Sequence, residues 1–287
     1  MSRGSLTIVG TGISVGQITM ETRGYLASAE KVLYCVADAA TERLILKLNS
    51  TSESIYGFYG EDKHRIETYE EMVARTMECV REGLDVCVAY YGHPGIFVYP
   101  SHKAIKIAQD EGYSARMIPA VSCIDCLFCD LGVDPAMGCQ IFEATDLMVR
   151  KRAIDTNSHI IIMQVGALGD LAFSFKGYGA RKLHKHLPTL GEYLAGYYPL
   201  EFGLKIYNAS QFSICAAEII DITVKELVNG SVKKIATLYI PPIDRPAIHL
   251  EMLDRYEMRH ILDGWRLMPL NSRPSDGAKE FTLDEKE

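Results

Sequence analysis

Short apolar runs alternate with amphipathic stretches through the first half of the chain. Residues 6–9, 31–35, 85–91 and 114–118 are apolar or β-branched enough to read as strands. Between them, residues 18–29, 69–82, 101–111 and 123–131 carry helical spacing. The helix over 69–82 sets Met72, Val73, Met77 and Val80 along one side, and Gly132 is placed to end the helix over 123–131. The run 85–91 is almost wholly apolar, as expected of a strand covered on both faces. Strands separated by helices of this length predict βαβ units and a parallel sheet.

The second half follows another rhythm. Residues 160–165, 203–207, 216–220 and 235–240 read as strands with few helices between them. One helix is expected over 187–195, with Pro188 near its start, and another over 248–262. The expectation is a two-lobed α/β fold. A mostly parallel N-terminal lobe covers residues 1–144 and a more antiparallel α/β lobe covers 145–243. A tail over 244–287 begins helical and ends disordered.

Composition narrows the class. The 287 residues are 48% hydrophobic and 23% charged, ordinary for a globular chain long enough to bury a large core. Net charge is −7 and no Lys/Arg stripe stands out, so a nucleic-acid partner is not expected. No apolar run reaches membrane-span length and the start of the chain lacks a signal-peptide pattern, so a cytoplasmic protein without a membrane partner is expected. The eight cysteines then read as free thiols, mostly buried.

Several segments are candidates for chemistry. Gly10, Gly12 and Gly16 follow the first strand without the dinucleotide-binding spacing, which favours a tight turn lining a cleft. Tyr90-Tyr91-Gly92-His93-Pro94-Gly95 follows a buried strand, where ligands sit in open parallel sheets. His93 is either a general base or, as we favour, a residue that shapes the loop. Cys123, Cys126 and Cys129 have the spacing of part of an iron–sulfur motif, yet they fall within a helix, so small side chains on a helix face are the better reading. His184 and His186 flank Lys185 in a polar stretch that reads as solvated surface. No metal is expected.

The segment 56–69 holds Tyr56, Tyr59, His64, Arg65 and Tyr69. If a helix begins near Arg65, then Arg65 and Tyr69 share a face at i, i+4. A neighbouring positive charge favours a phenolate. The alternative is a tyrosine-rich surface loop with an ordinary cation–π contact.

The motif order VGTG (9–12), YYGHPG (90–95) and IPAVSC (118–123) resembles the S-adenosylmethionine (SAM)-dependent tetrapyrrole (precorrin) methylase superfamily. Further segments resemble its borosin branch, the peptide backbone α-N-methyltransferases of omphalotin type. They are LYCVAD (33–38), the Tyr56–Tyr69 array, DLGVDP (130–135), FEATD (142–146), QVGALGDL (164–171) and IATLYIPP (235–242). The resemblance spans residues 5 to about 243. It implies a SAM site lined by Tyr91, His93, Ile96, Phe97, Ser122, Cys123, Gln164, Asn208, Ala209, Ala236 and Thr237, with S-adenosylhomocysteine as product. It also implies an acceptor site of Tyr56, Tyr59, His64, Arg65, Tyr69 and again Tyr91, and an interlocked homodimer. The fourth loop departs from the usual Gly-Ile/Val-Ser, reading Ala120-Val121-Ser122.

An amide nitrogen is a poor nucleophile, so the resemblance implies a base and a partner for the developing oxyanion. Tyr69 takes the first role and Arg65 the second, while Tyr56 and Tyr91 orient the carbonyl. No Val/Ile/Gly-rich run follows Leu250, so the substrate is expected to be a separate precursor peptide. The alternatives are methylation of a tetrapyrrole or other small molecule, and non-catalytic binding of SAM or a peptide.

Overall fold

Among the described residues, ten strands sort into two five-stranded sheets. The computed structural model describes residues 4–175, 183–212, 214–232, 235–244 and 247–261. In chain order the first half runs β1 (Ser5–Gly10), α1 (Met20–Ser28), β2 (Lys31–Cys35), α2 (Ala39–Leu48), β3 (Glu53–Ser54), α3 (Arg65–Arg81), β4 (Asp85–Tyr90), α4 (Tyr99–Asp110), β5 (Ser114–Met117) and α5 (Cys123–Leu131). The second half adds β6 (Cys139–Glu143), α6 (Ala144–Val149), β7 (His159–Met163), α7 (Leu183–Ala195), β8 (Gly203–Asn208), β9 (Glu218–Thr223), α8 (Val224–Val228), β10 (Thr237–Ile240) and α9 (Leu250–Arg255).

The first sheet, in order β3-β2-β4-β1-β5, is parallel throughout. Helices cover both faces. Leu6, Ile8, Val86 and Val88 meet Met72, Val73, Met77 and Val80 of α3 and Ala104 and Ala108 of α4. On the other face Val9, Val32, Cys87 and Ala89 meet Leu26 of α1 and Ile45 of α2. The near-continuous apolar run of β4 follows from burial on both sides.

The second sheet, β6-β7-β10-β8-β9, pairs β6 with β7 in parallel and is otherwise antiparallel. The chain enters it at Cys139, ahead of residue 145 where the sequence pattern changes rhythm. Strand β6 carries Gln140 and Glu143 and buries none of its five residues fully, so it lacks the apolar signature of its partner. One face packs on Leu187, Leu190 and Leu194 of α7 and Val224 and Leu227 of α8. The crossing of these helices is so close at Gly191 that a Cβ there would stand 2.4 Å from the Val228 nitrogen. The other face takes Ile124 and Leu127 of α5, so a helix that follows the first sheet is built into the second.

Helix bounds differ from expectation where polar turns hide them. Helix α3 starts at Arg65 because His64 caps it, its Nδ1 accepting from the Ile66 N–H at 3.2 Å. Helix α7 starts at Leu183 rather than 187, so Pro188 lies inside it. Helix α9 covers only Leu250–Arg255 of the expected 248–262. The rest of the tail, including its predicted disordered end, lies outside the described residues, as does the side chain of His184. The thiols are free, but only Cys79 and Cys87 are fully buried; Cys35 and Cys139 on strands and Cys123 and Cys126 on α5 are partly buried, and Cys129 and Cys215 are exposed. No helix among the described residues is long and apolar enough to cross a membrane.

Candidate active site

The loops leaving β1, β4 and β5 converge at the carboxyl ends of the first sheet. Gly10 is where they meet. A Cβ there would stand 2.2 Å from the Gly92 carbonyl oxygen and 2.6 Å from both Ala120 Cβ and Pro94 Cδ. Only a glycine allows this approach. Gly12 and Gly92 exchange backbone hydrogen bonds at 3.3 and 2.9 Å, pinning the first loop to the second. Gln17 secures the far side: its Oε1 accepts from the Ile13 N–H at 2.8 Å and its Nε2 reaches Cys126 Sγ at 3.5 Å.

His93 is tied into its own loop. Its Nδ1 accepts from the Gly95 N–H at 3.0 Å, which occupies the nitrogen a general base would need on that side. Ser122 caps α5, its hydroxyl accepting from the Ile124 and Asp125 N–H groups and donating to Asp125 Oδ2 at 2.8 Å. Cys123 opens that helix, and burial pushes its thiol up to about 11. Tyr91 is half-buried beside Cys123, Cys126, Asp38 and Gln211, and desolvation is the main reason its hydroxyl is raised.

The second sheet closes the other side. Ile96, Cys123 and Ala209 pack on one apolar cluster with Ile124, Tyr207 and Tyr239. Gln164, just after β7, lies in the left-handed region at φ +57°, as does Phe97 in the loop after β4 at φ +56°, 40% exposed. Bulky residues in that region are strained, and such strain gathers where a ligand is clamped. The Val165 N–H donates to the Ala236 carbonyl at 3.1 Å, placing Gln164 beside buried Thr237. Asn208 is held by Glu218 through its Nδ2 at 2.7 Å. Ten of the eleven residues expected to line a cofactor site thus stand at strand ends or in adjoining loops of the two sheets, and Cys123 opens α5.

The tyrosine array forms on the next flank. Tyr56 and Tyr59 lie on a short turn after β3, with ring centroids 5.3 Å apart. The Tyr59 ring meets that of Tyr69 edge-on at 6.4 Å, and Tyr69 lies 6.1 Å from Tyr99. Arg65 and Tyr69 both occupy the start of α3, where the helix dipole favours negative charge. Both line a cleft of about 370 Å³ that also takes in His64, Gln164 and Asp170. Tyr91 makes no ring contact with this array; it stands on the cradle side with Cys123.

A strap from the second half completes the wall. The Arg65 N–H donates to the Leu171 carbonyl at 2.8 Å, Phe173 N–H to Lys63 at 2.9 Å, and Asp62 N–H to Phe173 at 3.0 Å. Glu61 accepts from Ser174 Oγ at 3.0 Å and from the Phe175 N–H at 2.8 Å. Phe173 is thereby laid against Tyr59 at 4.4 Å and Tyr56 at 6.4 Å. No cluster of metal-ligating side chains occurs among the described residues.

Residues 5–187 match the family model of the Tetrapyrrole (Corrin/Porphyrin) Methylases. The chain belongs to that family. Among curated proteins it is 40% identical over 261 residues to the methyltransferase/omphalotin A precursor of Omphalotus olearius, covering 89% of this chain and 62% of that protein. The dendrothelin A counterpart of Dendrothele bispora is likewise 40% identical, covering 87% and 60%. The chain therefore spans about three-fifths of the length of these relatives. The uroporphyrin-III C-methyltransferase structure of Thermus thermophilus superposes with a TM-score of 0.57 at 17% identity, covering 84% of this chain and 93% of that chain. A structure of that kind of enzyme complexed with S-adenosyl homocysteine gives 0.54 at 15% identity. These likenesses confirm the two-sheet fold.

Sequence reading missed Phe173 and Tyr99 as members of the aromatic wall. Both lie outside any periodic pattern near it, and their neighbours come from distant segments.

Proposed function

We propose that this methylase uses SAM to N-methylate backbone amides of a separate precursor peptide, within an interlocked homodimer. The carrying observation is that Arg65 and Tyr69, one turn apart on α3, line a single cleft with Gln164, while the Tyr69 ring meets Tyr59, which in turn packs against Tyr56 and Phe173. Relatives at 40% identity are named as methyltransferases joined to cyclic peptide precursors, which supports the same chemistry here.

The residues present fit SAM. The glycine at position 10 lets three loops close into a cradle, and Gln164 and Phe97 are held in strained conformations at its rim. Tyr91, Cys123, Ile96 and Ala209 would give it apolar and aromatic walls, with Thr237 and the loop backbone as polar contacts. When bound, SAM supplies an electrophilic methyl group on a sulfonium.

The chain's own residues supply the rest. An amide lone pair is delocalised into its carbonyl, so the N–H proton must leave as the nitrogen attacks. Tyr69, as the phenolate that Arg65 and the positive N-terminus of α3 favour, takes that proton and becomes the neutral phenol. The Arg65 guanidinium stands across from the carbonyl oxygen as negative charge collects there. Tyr56 and Tyr59 hold the peptide plane by ring contact, and the Phe173 strap limits water. A polycarboxylate macrocycle would call for more cations than this wall offers.

Residues 244–287 contain no Val/Ile/Gly-rich run to serve as an acceptor themselves. The test is purified protein incubated with SAM and a Val- and Gly-rich synthetic peptide, read by mass spectrometry. Methyl additions on backbone nitrogens of the peptide are expected. Methylation of uroporphyrinogen but no peptide would replace the reading, and methyl groups found in residues 244–287 would move the acceptor into this chain.

A further inference from the structure

Three large apolar side chains stand exposed around the cleft that holds Arg65 and Tyr69. Ile66 is 42% exposed, Leu171 59% and Val149 76%, and all three line that cleft. They come from separate segments: the first turn of α3, the strap, and the last residue of α6. Isolated exposed apolar residues are ordinary on any surface. Convergence of three on one concavity marks a site for an apolar partner.

Each is held in place by its own backbone. Ile66 is fixed by the His64 cap, and Leu171 by its carbonyl, which accepts from the Arg65 N–H. On α6, Ala144 and Leu147 face the core while Val149 faces out. The nearby charges satisfy one another: Asp146 takes Arg150 at 2.6 Å and Arg152 at 2.9 Å. Val149 is therefore presented without a competing unpaired ion on its helix.

We propose that Ile66, Val149 and Leu171 form a specificity subsite for one apolar side chain of the acceptor peptide, beside the methylated amide. The proposal rests on the peptide reading above. Ile66 adjoins Arg65 in sequence, so the subsite lies within a residue or two of the reacting nitrogen on an extended chain rising about 3.3 Å per residue. A concave cleft of about 370 Å³ suits a side chain and its peptide unit rather than a broad protomer face.

The test compares wild type with Val149→Asp and Val149→Lys. The probes are the Val- and Gly-rich synthetic peptide and versions with Lys or Asp next to the methylated residue. Val149 is exposed enough that folding is not at issue. Wild type should prefer the Val peptide. Val149→Asp should raise KM for it by about tenfold or more and shift preference toward the Lys peptide. Val149→Lys should shift it toward the Asp peptide, and SAM affinity by calorimetry should hold in both. Unchanged preference in both variants overturns the subsite. So does a change in sedimentation mass without a change in preference, since the rim would then be a protomer contact. A wild type that binds SAM yet methylates no peptide overturns the functional reading and the subsite with it; a wild type that works with indifferent variants overturns the subsite alone.

Discussion

Replacing Gly10 by alanine measures how tightly the three loops of the cradle are locked. The added methyl would meet the Gly92 oxygen at 2.2 Å and Ala120 Cβ and Pro94 Cδ at 2.6 Å. Unstrained carbon contacts lie at about 3.5–4.0 Å, so each separation must open by roughly 1 Å or more. The obstacles are a carbonyl, a methyl on backbone and a proline ring, none of which can rotate away. Overpacking of this kind typically costs about 1–3 kcal/mol, and a clash on more than one side sits at the upper end. For a chain of this size a loss of about 3 kcal/mol lowers Tm by roughly 6–10 °C. Gly16 is the control, because an added Cβ there meets nothing within 4 Å. Its alanine variant should stay within about 1 kcal/mol of wild type. Thermal unfolding of the two variants, followed by SAM titration calorimetry, gives the comparison. Gly10→Ala should unfold early and bind SAM at least about tenfold more weakly, since 1.4 kcal/mol of distortion is enough. A Gly10→Ala protein that melts within about 2 °C of wild type and binds SAM equally well would refute the cradle argument.

Tyr69→Phe and Arg65→Ala should each lower the peptide methylation rate by about a hundredfold or more while leaving SAM affinity intact. Near-normal rates with an unaltered pH profile in both would end the base assignment. Phe173→Ala removes ring contacts with Tyr59 and Tyr56, each worth about 0.5–1.5 kcal/mol. Amide exchange at Phe173 and Arg65 should quicken about tenfold, and unchanged protection would show that the hydrogen bonds alone hold the strap. His159 is buried, its Nδ1 2.8 Å from the Tyr239 hydroxyl, and desolvation depresses its pKa. The unfolded chain therefore binds a proton that the folded chain refuses, so stability is full above about pH 6.5 and falls below it. His159→Gln should flatten Tm against pH in that acid range; parallel curves for the two proteins would place the acid sensitivity elsewhere.

The first sheet was legible because its strands are buried on both sides and its helices carry wide apolar stripes. Cys123–Leu131 could be placed to the residue, since Ser122 caps it and Gly132 ends it at φ +64°. Strand β6 and helix α2 were not, because each buries too little to leave a pattern. The strand buries none of its residues fully, and the helix buries only Thr41 and Ile45, too few to set a period. The i, i+4 relation of Arg65 and Tyr69 depended on where α3 begins, and the cap that decides it is a histidine, a residue with little capping signal in sequence. His93 reads from sequence as a residue that shapes its loop more than as a base, and the Gly95 N–H donates to its Nδ1. Phe173 was beyond reach because a strap that crosses from one half to the other has no periodicity of its own.

That strap is tied to Asp62–Arg65 by main-chain hydrogen bonds, with the Glu61 carboxylate and the Phe173 ring as its side-chain fastenings. The main-chain part of such a fastening is blind to which side chains it carries. Cavity-facing residues other than Glu61 and Phe173 can therefore be exchanged while those main-chain bonds persist, so new acceptors are open to this scaffold by point substitution.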